Sequence, residues 1–167
     1  MNVRKKGVTA EELNQQLAAD AAYQAGLDDQ RRRLEALAAA CAADEHDLVQ
    51  ELRDQDIRVT SVWDFVALGG APTAAVPVLV SHLSREHHER IWEGIVRALS
   101  VKHARVPALG ALTSLYRSEA NQHRRWLLAN AISSIASLNE VRDLPDIENF
   151  RALFRESRKP EHRDPAV

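Results

Sequence analysis

Four histidines, His82, His87, His88 and His103, fall within 22 residues, and imidazole is the side chain best suited to ligate a metal or move a proton near neutral pH. Spacing argues against a metal. His82 and His87 are five apart with a turn expected between them, and no cysteine or carboxylate joins them in an HExxH or CxxC arrangement. They read as polar residues around a solvated helix start, with no metal site and no cofactor. Cys41 lies in an apolar stripe, the setting of a buried, inert thiol rather than a nucleophile. The acidic pairs Glu11-Glu12 and Asp28-Asp29 are adjacent in sequence, and helical neighbours point in different directions, so they read as solvated surface. There is no glycine-rich phosphate loop, and no serine stands in a nucleophile-elbow context. By default Glu86 or Glu89 with His87 or His88 would supply an acid and a base, but nothing assembles them, and the chain reads as a non-enzyme with no catalytic residues.

The tryptophans carry the other signal. Trp63 is expected in the core of a short helix, whereas Trp92 and Trp126 each open a predicted helix beside Arg90 and Arg124-Arg125. Arginine and tryptophan together are the composition enriched at binding hot spots. The same spacing also suits packing between helices, and both readings stand.

Those residues need elements to position them, and composition points to helices. Gly and Pro number six each, while Ala, Leu, Glu and Arg, which lose little free energy in a helix, are abundant. One cysteine excludes an internal disulfide, the first residues lack the apolar stretch of a secretory signal, and no window is apolar enough to span a bilayer, so a cytoplasmic location is expected. Net charge is -2, with seven basic and twelve acidic side chains in residues 1–56 against fifteen and twelve in 57–167. An excess of +3 in the second part is too weak for a dedicated nucleic-acid binder.

Thr9 and Glu12 form a Thr-x-x-Glu capping box, which predicts a helix from Ala10. No proline intervenes before Arg53, so the segment is either one helix of about 65 Å or two broken near Gly26-Leu27-Asp28. Its latter half, with Leu34, Leu37, Cys41, Leu48 and Leu52 on one stripe, is expected to pack on the helices after it. Polar residues at the companion heptad positions argue against a coiled coil. Ser61 with Asp64 predicts a short helix, Val62 to Leu68, ended by Gly69-Gly70. Pro77, Pro107 and Pro145, spaced by 30 and 38 residues, mark the first turns of three predicted helices. Each of the first two is followed by a second helix with a clean stripe: Ile91, Ile95 and Leu99, then Leu127, Ala131 and Ile135.

This pattern of proline-marked and apolar helices over roughly residues 72–156 resembles HEAT repeats, the armadillo-like family, of the small bacterial or phage type. The resemblance implies an all-α, short right-handed stack of antiparallel helix pairs. A long N-terminal helix or helical hairpin would occupy residues 1–56 as cap, arm or dimerisation element, with repeats over 57–156 and a disordered tail over 157–167. Ile147, Phe150 and Phe154 would close the far end. The second helix of each pair usually lines the concave, partner-binding face. That places Glu89, Arg90, Trp92, Glu93, Arg97, Arg124, Arg125, Asn130 and Ser134 on the expected binding surface. The expected function is a non-catalytic protein-protein interaction module, an adaptor, immunity-type protein or phage-type inhibitor, without cofactor. Nucleic-acid binding through a basic concave face is the alternative, and a homodimer through the N-terminal helix is a further expectation.

Overall fold

The computed structural model describes residues 9–142. Among these the chain is all-helical, with nine α-helices, two short 3-10 turns and no strand. The expectations placed on Pro145, Ile147, Phe150, Phe154 and the tail lie outside the described residues. The chain divides into two compact units, one ending at Ala40 and one beginning at Cys41. The sequence pattern suggests a later boundary, at 56/57.

In the first unit, α1 (Ala10–Ala19) begins as expected: Glu12 N–H donates to Thr9 Oγ1 at 3.2 Å and Thr9 N–H donates to Glu12 Oε2 at 2.9 Å. It ends at Asp20, whose backbone is extended at ψ 103°. The Asp20 carboxylate then accepts from Ala22 and Tyr23 N–H at 2.9 and 3.1 Å, starting α2 (Ala21–Asp44). The break therefore falls at Asp20, and α2 runs through Gly26 without interruption. The physics favours this: an aspartate satisfies orphan donors of a new helix, while one interior glycine costs only about 1 kcal/mol. Arg31 and Arg33 pair with Asp28 and Asp29 at 3.3 and 2.8 Å along the exposed helix. Of the expected stripe, Leu34 and Leu37 in this unit are 58% and 39% exposed, while Cys41, Leu48 and Leu52 in the second unit are buried.

The second unit takes the last turn of α2 and adds α3 (His46–Asp54), α4 (Trp63–Ala67), α5 (Val76–His82), α6 (Glu89–Ala98), α7 (Arg105–Ser118), α8 (Gln122–Ile135) and α9 (Leu138–Arg142). Helix α3 packs on α5 and α5 on α7, while α4 packs on α6 and α6 on α8, and α7 lies against α8. Alternate helices thus form two rows. The cause is legible in the buried positions. Ile91, Ile95 and Leu99 of the α6 stripe, and Leu127, Ala131 and Ile135 of α8, are all at most 3% exposed. Each fully buried Leu or Ile contributes roughly 1.5–3 kcal/mol. Pro77 and Pro107 stand in the first turns of α5 and α7, and both helices are preceded by a 3-10 turn, Thr73–Ala75 and Lys102–Ala104.

The start of α4 is held from two sides. Asp64 Oδ2 accepts from Thr60 and Ser61 N–H, Ser61 Oγ accepts from Trp63 N–H, and the buried Glu45 accepts from Val62 N–H at 3.1 Å and from the Ser61 hydroxyl at 3.0 Å. Gly69 and Gly70 end the helix with φ of 86° and 133°, a conformation that L side chains disfavour. Where α4 crosses α6, Gly94 lets the helices approach: a Cβ there would lie 2.5 Å from Val62 Cγ1.

Candidate functional site

The residues expected on the binding face come from α6 and α8, and most are brought together. Arg124, whose N–H is turned toward the Asn121 cap, sends its guanidinium across to α6. There its Nε donates to Glu89 Oε2 at 2.8 Å, and the same group lies over the Trp92 ring, 4.6 Å from its centre. Glu119 approaches Arg124 from the other side at 3.9 Å. The Arg124 hydrogen bond holds the Glu89 carboxyl below its usual range, and reciprocally Glu89 raises the Arg124 guanidinium. Trp92 itself is buried, with Arg124 on its face. Arg90 stands over the Trp63 ring at 5.1 Å, joining α6 to α4. Trp63 is partly buried against the core, as expected of its short helix.

Further along the helices, Arg97 donates to Glu93 at 2.7 Å. Arg97, Asn130 and Ser134 then line an open cleft of about 280 Å³ with Trp126, Gly69 and Gly70. A side chain at Gly70 would collide with Val101, so glycine keeps this wall low. Arg125 is placed differently from the other expected residues: its guanidinium lies 5.1 Å above Tyr116 of α7. Trp126 is partly buried, with His123 stacked at 6.1 Å.

The histidines are not what the sequence suggests. His82 is 1% exposed and the His87 side chain 5% exposed, so neither is a solvated residue of a helix start. His87 Nδ1 is 2.9 Å from Asp44 Oδ2, His87 Nε2 is 3.0 Å from His82 Nδ1, and His82 Nε2 is 3.2 Å from Glu51 Oε2 without completing a hydrogen bond. Arg85 holds Glu51 at 2.7 Å, and this hydrogen bond is the chief cause of a lowered Glu51 carboxyl pKa. Burial, aided by the Arg85 charge, lowers the pKa of His82. His88, at the exposed α6 start, accepts from Arg90 N–H at 3.2 Å and lies 3.6 Å from Cys41 Sγ. Cys41 is buried, and that burial raises its thiol pKa, consistent with low reactivity. His103 Nε2–H donates to the Ala71 carbonyl at 2.8 Å.

Asp44, Glu45 and Glu51 were invisible as site residues in the sequence. Asp44 and His87 are 43 positions apart, and no local pattern links a carboxylate at the end of one helix to an imidazole in a distant turn. Among the described residues, no group of three or more side chains converges as a metal site, and no helix is long and apolar enough to cross a membrane. Of the acids and histidines that sequence neighbours offered as pairs, Glu89 is bound by Arg124 and His87 lies against Asp44. Comparison with family models, with curated proteins and with solved structures finds no match.

Proposed function

We propose that this protein is a non-catalytic protein-interaction module, an adaptor, immunity-type protein or phage-type inhibitor. Its helices act as a short HEAT-like stack whose α6 and α8 surface occupies another protein. The observation that carries this reading is the pair of arginine-on-tryptophan contacts, Arg90 on Trp63 and Arg124 on Trp92 with Glu89, which join α6 to α4 and to α8, together with the cleft lined by Arg97, Asn130 and Ser134. Rings and guanidinium planes fixed against each other lose little freedom when a partner covers them, which is how a few residues come to dominate an interface. The two rows of helices support the stacked-pair reading, because α3, α5 and α7 pack in succession in one row and α4, α6 and α8 in the other.

Charge disfavours nucleic acid. Of the arginines that would supply a basic face, Arg97 is paired with Glu93 and Arg124 with Glu89. Counterion release needs cations free to meet phosphates. A homodimer through the N-terminal helix is the remaining proposal, supported by the exposed Tyr23, Leu27, Leu34 and Leu37.

The test is enrichment from nuclease-treated host extract with the wild type and with Asn130→Arg, which fills the cleft. One protein recovered by the wild type and lost with a folded Asn130→Arg supports the reading. Recovery equal for both opposes it.

A further inference from the structure

Three clefts follow one another along the second unit, each sharing residues with the next. The first, of about 550 Å³, is lined by Arg53, Asp56, Arg58, Val59, Thr60 and Asp64. Arg58 and Val59 also line the second, of about 470 Å³, whose wall is mainly apolar, with Ile57, Leu68, Pro72 and Val101. Gly69 and Gly70 line both this one and the third, the cleft of about 280 Å³ that holds Trp126, Arg97, Asn130 and Ser134.

The wall shared by the second and third clefts is bare backbone. Gly69 and Gly70 both have positive φ, a side chain at Gly70 is barred by Val101, and one at Gly69 would stand in open space. Nothing taller than the main chain therefore separates the two clefts. Leu68, beside this wall, is 80% exposed, and an apolar group laid on it would release its hydrating water.

Polar groups at either end are unengaged. Among the described residues, Arg53 and Arg58 take part in no ion pair, whereas Arg97 and Arg124 are held by Glu93 and Glu89. Of the two acids that line the same cleft, Asp64 accepts through Oδ2 from Thr60 N–H, the Thr60 hydroxyl and Ser61 N–H, which leaves Asp56 against two guanidinium groups. At the far end the Asn130 side-chain amide has no partner among the described residues. Ser100 and Ser134 donate to the Val96 and Asn130 carbonyls at 3.0 and 2.9 Å, so their oxygens remain acceptors.

We propose that the three clefts form one groove that takes a linear segment of the protein partner, with an apolar side chain on Leu68, Pro72 and Val101 and a carboxylate at Arg53 and Arg58. The Asn130 amide, which offers donors and an acceptor, meets a polar group of the segment at the other end. Open clefts of differing chemistry in succession match a row of side chains. A small molecule needs a pocket that encloses most of its surface, and a nucleic acid needs cations along its whole track, which the apolar middle interrupts. The inference rests on the reading of the α6 and α8 surface as the partner's seat and extends that seat past α4 to the end of α3.

The experiment pans a randomised peptide library against the purified full chain and measures the enriched peptides on folded variants by fluorescence anisotropy. Enriched peptides should carry Asp or Glu to one side of an apolar residue. Leu68→Glu and Arg58→Glu, both at exposed positions, and Asn130→Arg should each weaken one and the same peptide by about tenfold or more. Arg117→Glu, on the exposed part of α7, should leave it unchanged. Gly69→Asn, which a left-handed helix end tolerates, raises the bare wall and should weaken the peptide likewise. Peptides lost with Asn130→Arg but unchanged in Leu68→Glu and Arg58→Glu would overturn the groove and leave the α8 cleft standing as a binding site. Peptides lost with Leu68→Glu and Arg58→Glu but unchanged in Asn130→Arg would overturn the single groove and oppose the α8 cleft itself. No enriched peptide, or a single-stranded oligonucleotide that binds more tightly than the peptides and is lost with Arg58→Glu, would also overturn the proposal.

Discussion

Arg124 lies over the Trp92 ring, 4.6 Å from its centre, while the same guanidinium is bound to Glu89. One side chain of α8 thus covers a buried aromatic of α6 and neutralises an acid of the first α6 turn. Arg124→Ala should destabilise the fold by about 1 kcal/mol, combining a cation-π contact with a partly exposed ion pair. Trp92 should become more accessible to acrylamide quenching. Unchanged quenching would show that Arg124 does not shield the ring.

The boundary at Cys41 predicts opposite responses along one helical stripe. Leu48 is fully buried and Leu34 is 58% exposed. Leu48→Ala should therefore cost about 2–5 kcal/mol, and Leu34→Ala less than about 0.5 kcal/mol. Urea unfolding of both variants checks this, and comparable costs would place the latter half of α2 in the core after all.

Gly94 sets the distance between α4 and α6. Gly94→Ala brings a Cβ against Val62 Cγ1 and within 3.2 Å of Trp63 Nε1. Overpacking of this kind costs about 1–3 kcal/mol, although alanine is the better helix former. A stabilised Gly94→Ala would mean that the helices part without penalty.

Glu140 of α9 has its carboxyl pKa lowered from 4.5 to about 2, chiefly by the Arg105 hydrogen bond and then by the Ser137 hydroxyl and N–H. A depressed folded-state value means that the contribution is present above the unfolded value and lost as pH falls from about 4.5 toward about 2. Carbon-detected NMR titration should give a midpoint near 2 in the wild type and a higher one in Arg105→Ala. Equal midpoints would remove Arg105 as the cause.

Much of the fold was legible because its signals are local. The Thr9 and Glu12 box, the proline first turns at Pro77 and Pro107, the Gly69-Gly70 stop and the α6 and α8 stripes each fit within one or two helical turns, and each is found where the pattern puts it. The break falls at Asp20 rather than near Gly26 because the aspartate carries the capping chemistry, which a glycine inside a helix does not. Of the candidate face, Glu89, Trp92 and Arg124 converge, and Arg97, Asn130 and Ser134 share the cleft, whereas Arg125 turns to Tyr116. The buried histidine chain was hidden because it joins α2, α3, α5 and a turn across more than thirty residues. Polar residues in a turn look solvated until a distant carboxylate is found facing them.

The most direct test of the central claim is site-specific photo-crosslinking in the native host. The photoreactive residue is placed at Asn130 in the cleft or at Val106, which is 91% exposed on α7. The account predicts one discrete protein adduct from position 130, lost when Arg97→Glu is added, and none from position 106. The same adducts from both positions, or an adduct from position 106 alone, would contradict it.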